Sequence, residues 1–244
     1  MPSNTSKVIG IIMTYNCAHL VEGIYNRLPK NVFDSIFITD DGSKDDIQKV
    51  AYTLGIECLK HEHTGYGGNI KLGLAKALEM GAEYMVEIHG DGQFSPEFIV
   101  PGLEKMKSGY DFILGSRFTD IRQPLRDKMP VPRYLANISL SFIDRLVLGL
   151  RLTEFHNGAR IYSRRLIETI GFKNTSNDYL YSFEIIAQAR YHNLKVGEVS
   201  ERADYGKDHT SISMKKSIVY ALKTFGVLGK YVLARIGFKT KLFR

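Results

Sequence analysis

Three short polar runs carry side chains able to do chemistry: Thr14-Tyr15-Asn16, Asp40-Asp41-Gly42-Ser43 and His89-Gly90-Asp91-Gly92-Gln93. Each follows an apolar, β-rich run. In the third, His89, Asp91 and Gln93 alternate, so an extended backbone points them the same way. The glycines between them let the chain approach a ligand closely. A carboxylate and an amide oxygen suit Mg2+ or Mn2+, and an imidazole suits Mn2+ better. One carboxylate rarely holds such an ion alone, so a ligand diphosphate is expected to supply further oxygens. A fourth run, Thr64-Gly65-Tyr66-Gly67-Gly68-Asn69 followed by Lys71, is a glycine-rich turn into a helix that offers N–H groups to an anion. It is neither the phosphate loop of nucleoside triphosphatases nor a dinucleotide-binding turn. Taken singly, each run also reads as a turn or a helix cap.

The elements that must position these runs alternate. Strands are expected at Val8–Met13, Ser35–Thr39, Ile56–Lys60, Tyr84–Ile88 and Asp111–Leu114. Helices are expected at Val21–Leu28, Asp45–Leu54, Gly68–Met80 and Ser95–Lys107, the last capped by Ser95 with Pro96 at its first position. The second half predicts helices over Arg133–Leu150, Tyr179–His192 and Lys215–Arg235, and strands over Ala159–Tyr162 and Lys195–Arg202. This alternation predicts an α/β fold with a doubly wound, mostly parallel sheet, whose strand C-terminal ends share one ligand-binding edge. The expected organisation is a body over 1–210 and a basic amphipathic helical extension over 211–244.

The chain has 244 residues, 44% of them hydrophobic and 24% charged, and a net charge of +7. That composition excludes a disordered or fibrous protein. Two cysteines, Cys17 and Cys58, make no disulfide framework and suit a reducing compartment. The polar start, Met1 to Lys7, does not read as a signal peptide. No run of 18 uncharged apolar residues predicts a membrane span. The expected location is cytoplasmic, peripheral to a membrane.

The charge is uneven. Residues 209–244 carry eight basic side chains and no acid. Residues 117–165 carry ten basic side chains against four acids, whereas residues 1–116 are net acidic. The acidic first half and the lack of any RNA- or DNA-binding motif argue against a nucleic-acid partner.

In order, Thr14-Tyr15-Asn16, Asp40-Asp41-Gly42-Ser43, Gly65-Tyr66-Gly67-Gly68-Asn69, Asp91-Gly92-Gln93, Gly115-Ser116-Arg117, Asn157-Gly158-Ala159-Arg160 and the Asp178–Glu184 segment resemble family 2 glycosyltransferases of GT-A fold. The resemblance covers roughly residues 7–210, and is nearest to dolichyl- and polyprenyl-phosphate sugar synthases and their bacterial relatives. It implies a nucleotide-sugar pocket lined by Thr14, Tyr15, Asn16, Asp40, Asp41, Gly67, Gly68 and Lys71. It also implies a metal held by Asp91 with Gln93 and His89. Arg117, Arg133 and Arg160 would face the acceptor, with Asp91, Arg117 and Asp178 as the catalytic set. Transfer would be a single displacement with inversion. The chain departs from the family pattern at His89, where Asp is common, and at Asn157-Gly158-Ala159-Arg160.

Two acceptors are expected alternatives. A polyprenyl phosphate is already ionised and needs little base. A saccharide hydroxyl needs a carboxylate to take its proton, with Asp178 the first candidate and Glu184 the second. Arg117, Arg122, Arg126, Lys128 and Arg133, in a proline-restricted segment, favour a phosphate. A nucleotide-sugar-binding protein without catalysis is the reading from outside the enzyme class. In the last helix Ile218, Leu222, Phe225, Val232 and Ile236 share a face, with Lys216, Lys223 and Lys230 nearly opposite. That pattern suits a helix on an anionic bilayer, or one packed on the body with a solvated lysine face.

Overall fold

The computed structural model describes residues 6–203 and 214–243. The strands are β1 (Val8–Thr14), β2 (Ser35–Asp40), β3 (Glu57–Lys60), β4 (Tyr84–His89), β5 (Phe112–Ser116), β6 (Arg160–Ser163) and β7 (Val196–Ser200). The α-helices are α1 (Ala18–Arg27), α2 (Ile47–Leu54), α3 (Tyr66–Glu79), α4 (Ile99–Lys107), α5 (Gln123–Arg126), α6 (Val131–Leu148), α7 (Arg164–Thr169), α8 (Tyr181–Tyr191) and α9 (Met214–Arg235).

Seven strands form one sheet in the order β3-β2-β1-β4-β6-β5-β7. All neighbours are parallel except β6, which runs antiparallel to both β4 and β5. The mostly parallel sheet expected from the alternation is therefore present. Every residue of the central strand β1 is buried. Ile9, Ile11 and Met13 enter one apolar cluster, while Val8 and Ile12 enter the other. That two-sided burial is why β1 reads as an unbroken apolar run.

Local chemistry sets the element ends. Gly55 and Gly149 adopt left-handed conformations where α2 and α6 stop. The helix expected from Ser95 starts instead as a 3-10 turn over Pro96–Phe98, and Ser95 Oγ accepts the Glu97 N–H at 3.4 Å. The short helices α5 and α7 have four and six residues, too few for apolar periodicity to reveal.

The expected boundary at 210/211 lies outside the described residues. Val227, Leu228, Tyr231 and Ala234 of α9, with Leu242 and Phe243 beyond it, join the same apolar cluster as α8 and β1. The C-terminal segment thus shares the core of the body.

Candidate active site

The ends of β1, β2 and β4 lie side by side, because β1 pairs with both its neighbours in parallel. Asp40 is fully buried and organises the edge. It accepts hydrogen bonds from Thr14 Oγ1 (3.2 Å), Ser43 N (3.2 Å) and, at very short range, Ser43 Oγ. Ser43 Oγ in turn accepts the Asn16 N–H at 2.8 Å, and Asn16 Oδ1 accepts the Lys44 N–H at 2.9 Å. Thr14, Asn16 and Asp40 therefore lock two loops together.

Asp41 does the same for the glycine-rich turn. It accepts Thr64 N at 2.7 Å and Gly65 N at 3.0 Å, and it lies 2.8 Å from His63 Nδ1. The His63 ring stacks on the half-exposed ring of Tyr15, with centroids 4.5 Å apart. The pair makes an aromatic platform of the kind a nucleotide base stacks on. His63 escaped the sequence reading because nothing local couples it to Tyr15, 48 positions away.

Gly67 and Gly68 have a different local role from a free anion cradle. Both N–H groups donate to the Asn177 carbonyl, at 2.7 and 3.3 Å. A Cβ on Gly67 would sit 2.4 Å from the Ser176 oxygen, so only glycine admits this segment. Lys71 Nζ joins the same contact, donating to Thr175 O (2.9 Å) and Asn177 Oδ1 (2.6 Å), and burial holds its ammonium below the usual lysine range. Asn177 was not singled out from the sequence.

Beneath the β4 end lies a buried polar knot. Glu87 is fully buried and accepts short hydrogen bonds from Tyr66 and Tyr162 hydroxyls. His89 Nε2 lies 3.2 Å from both Glu87 Oε1 and the Gly158 carbonyl. That nitrogen faces two acceptors, so it carries the proton and only Nδ1 remains for a cation. Burial pushes Glu87 up, but His89, Arg160 and Tyr162 outweigh it and hold the carboxyl below its usual range. Burial pushes His89 down, and Glu87 outweighs that, holding the imidazole above its usual range. Glu87 was not singled out from the sequence; an acid inside the apolar strand Tyr84–His89 is the signal that could have found it.

Arg160, expected at the acceptor, is wholly buried with this knot, and its Nη2 donates to Asn157 O at 2.8 Å. It supplies the cation that an enclosed Glu87 requires. Arg117, expected beside it, is also buried and grips the enclosed Glu154 through Nε at 2.9 Å and through Nη2. Arg133 is half-buried on α6.

Asp91 is half-buried, and its Oδ1 accepts the Gln93 N–H at 3.1 Å. Asp91 and Gln93 open into a cleft of about 740 Å3, whose other walls include His19 and Arg27 of α1 and Arg126, Lys128 and Arg202. Arg117, Arg133 and Arg160 are not among its lining residues. Among the described residues no three His, Cys, Asp or Glu side chains could together hold a metal ion. The Asp91–Gln93 donor set therefore fits a hard cation when a ligand adds oxygens.

Asp178 is half-exposed at the start of α8. Its Oδ1 accepts the Leu180 N–H at 2.9 Å, and its Oδ2 meets Lys223 Nζ of α9 at 2.5 Å. Glu184 is buried and accepts Ser176 N at 2.6 Å, closing that loop on α8; burial raises its carboxyl above the usual range. Glu201, 3% exposed, accepts Asn157 Nδ2 at 2.8 Å and Ser95 N at 3.1 Å, and burial pushes it up to about 7.

That last shift predicts a pH slope. From about pH 4.5 to 7 the unfolded chain ionises Glu201 while the folded chain keeps its proton, so stability falls as pH rises. The span corresponds to about 3 kcal/mol. Glu201→Gln is expected to flatten the urea-midpoint profile between pH 5 and 8. A slope equal to wild type rules out this source.

A parallel sheet with one reversed strand, its polar strand ends gathered at one edge, defines the GT-A class of glycosyltransferase. The chain belongs to glycosyl transferase family 2, whose pattern it matches over residues 11–171. Among its relatives, the UDP-N-acetylglucosamine--dolichyl-phosphate N-acetylglucosaminyltransferase of Methanococcus voltae is 30% identical over 80% of this chain and 84% of that protein. The polyprenol monophosphomannose synthase of Mycolicibacterium smegmatis is 24% identical over 95% and 91%. The undecaprenyl-phosphate mannosyltransferase of Micrococcus luteus is 32% identical over 67% and 69%. The fold is shared with glucosyl-3-phosphoglycerate synthase from Mycobacterium tuberculosis, crystallised with Mn2+ and UDP. Its TM-score is 0.68 and identity 14%, covering 96% of this chain and 81% of that one.

Proposed function

We propose that this glycosyltransferase moves a sugar from a nucleotide-sugar donor to a polyprenyl phosphate, with inversion, at the cytoplasmic face of a membrane. The observation that carries the reading is the cleft in which Asp91 and Gln93 face Arg126, Lys128 and Arg202. One wall would suit a divalent cation that gains further oxygens from the donor, and the other suits a second phosphate. The names of the three sequence relatives given above, each a lipid-phosphate glycosyltransferase, support the same acceptor.

In this reading Tyr15 and His63 stack the nucleotide base. Thr14, Asn16, Asp40 and Asp41 hold the surrounding loops, and Gly67, Gly68 and Lys71 fix the turn beside them. Asp91 and Gln93, with His89 Nδ1 as a further donor, would hold Mg2+ or Mn2+. A bound divalent cation neutralises charge on the departing nucleoside diphosphate. Arg133, at the start of α6 and outside the cleft lining, is kept as an acceptor contact, while Arg117 and Arg160 act from within the core on Glu154 and Asn157. The lipid phosphate enters opposite the leaving group, so one displacement inverts the anomeric centre. The membrane surface is reached through α9.

The test is transfer of labelled sugar from a panel of nucleotide sugars to a short polyprenyl phosphate, with Mn2+, with Mg2+ or with chelator. Metal-dependent transfer is expected. Absence of both transfer and metal-dependent protection by any nucleotide sugar against thermal unfolding overturns the reading.

The half-exposed Asp178 supports the second reading, a saccharide hydroxyl acceptor. One variant separates the two. With an ionised phosphate acceptor, Asp178→Asn keeps kcat within about tenfold of wild type, since no proton must be removed. With a hydroxyl acceptor, loss of the general base costs roughly 10^2–10^4-fold.

A further inference from the structure

The apolar face read from the last helix points outward. Ile218, Leu222, Phe225, Val232 and Ile236 are all exposed. Packing on the body uses a different stripe, centred on Thr224, Val227, Leu228 and Tyr231. The helix α9 therefore has two apolar faces, one covered and one not.

A second helix repeats the pattern. On α6, Val131, Leu135, Phe142 and Leu146 are 55–68% exposed. Their spacing places them within about 60° of one another around the helix. Their stripe runs along a helix about 27 Å long. The two stripes adjoin: Leu146 of α6 lines one groove, of about 310 Å3, with Val232 of α9 and Ile236 just past its end. The helices are also tied beneath the surface. Asp144 of α6 lies 2.9 Å from His156 Nε2, and His156 Nδ1 lies 3.2 Å from the Tyr220 hydroxyl of α9.

We propose that α6 and α9 form one docking surface for an anionic lipid bilayer, with α6 contacting lipid as directly as α9. Charge complementarity selects this occupant. The two helices carry a single acid, Asp144, and it is fully buried. Lys223, paired with Asp178, and Lys230 lie nearly opposite the α9 stripe, whereas Arg145 is exposed on α6 and Arg235 is exposed in the groove where the two stripes meet. A twofold contact between copies of the chain would set these cations against each other with no acid of either helix exposed to pair them. A bilayer bearing anionic headgroups accepts the apolar stripes and pairs the cations together.

The geometry favours lying on the bilayer over crossing it. Ser217–Arg235 has the length and mean hydropathy, 1.2, of a membrane span. Crossing would bury Lys223 and Lys230 in hydrocarbon and pull Val227, Leu228 and Tyr231 out of the core they share with α8. An in-plane helix keeps both sets where they are.

The inference deepens the lipid-phosphate reading, but its test involves no sugar transfer, so each can fail without the other. The chain contains no tryptophan, so Phe142→Trp and Leu222→Trp each place a lone indole on one helix, and Tyr52→Trp places one on α2 as a control. The full chain is mixed with phosphatidylcholine vesicles with or without roughly one-third phosphatidylglycerol. Expected are a blue shift and quenching by brominated lipid for both Phe142→Trp and Leu222→Trp, in anionic vesicles, and neither for Tyr52→Trp. The double variant Leu135→Glu/Leu146→Glu should lose at least about tenfold in vesicle affinity. A shift at position 222 without one at 142 overturns the role of α6. So does wild-type affinity in the double variant. A vesicle-independent shift that tracks dimer mass in light scattering assigns the surface to a second copy instead.

Discussion

Asp91→Ala is expected to lower kcat/KM for sugar transfer by at least about 10^3-fold, or about 4 kcal/mol of transition-state stabilisation. Asp91 is a half-buried carboxylate at the β4 end that opens into the cleft, where its Oδ1 accepts the Gln93 N–H at 3.1 Å. The variant should therefore fold, with a thermal midpoint close to wild type. Calorimetric titration with a nucleoside diphosphate should show Mn2+ no longer strengthening its binding. A folded Asp91→Ala enzyme with wild-type metal dependence refutes the assignment of the cation to this loop.

Glu87→Ala is expected to give the largest loss of stability in the molecule. Its carboxylate is fully buried, accepts from two tyrosine hydroxyls and sits 3.2 Å from His89, with the equally buried Arg160 as the neighbouring cation. Removing it strands a guanidinium in the core, which costs about 3–5 kcal/mol. For a chain this long that is roughly 6–20 °C in Tm. The double variant Glu87→Ala/Arg160→Met should recover part of the loss, since the unpaired charge is gone. Equal instability of the single and double variants in calorimetry would falsify charge compensation as the cause.

Much of the fold was legible in the sequence for a physical reason. Strands buried on both faces, such as β1, need continuous apolar side chains, and helices between them need a 3.6-residue period. Both leave local traces. The traces fail where an element is too short, as in α5 and α7. They fail again where direction depends on a distant partner: nothing in Arg160–Ser163 states that β6 runs against β4 and β5.

The candidate site was legible in part. Thr14-Tyr15-Asn16, Asp40-Asp41 and Asp91-Gly92-Gln93 stood out because three polar runs end apolar strands that share one sheet edge. His63, Asn177 and Glu154 were missed because their partners Tyr15, Gly67 and Arg117 lie 48, 110 and 37 positions away in the chain. Burial alone distinguishes the arginine that meets a ligand from the one that neutralises a core acid, and burial is a property of the folded chain.

The sequence by itself determined the alternating architecture, the polar strand ends, the family and the acid-free basic C-terminus. The tertiary structure decided which groups reach the cleft. It enclosed Arg117 and Arg160 against Glu154 and Glu87, and left Arg126, Lys128 and Arg202 on the cleft wall. It also covered one stripe of α9 and turned the other outward beside α6. Local spacing sets which residues share a face. Only the packing of distant segments, and the cost of leaving a buried charge unpaired, sets what that face meets.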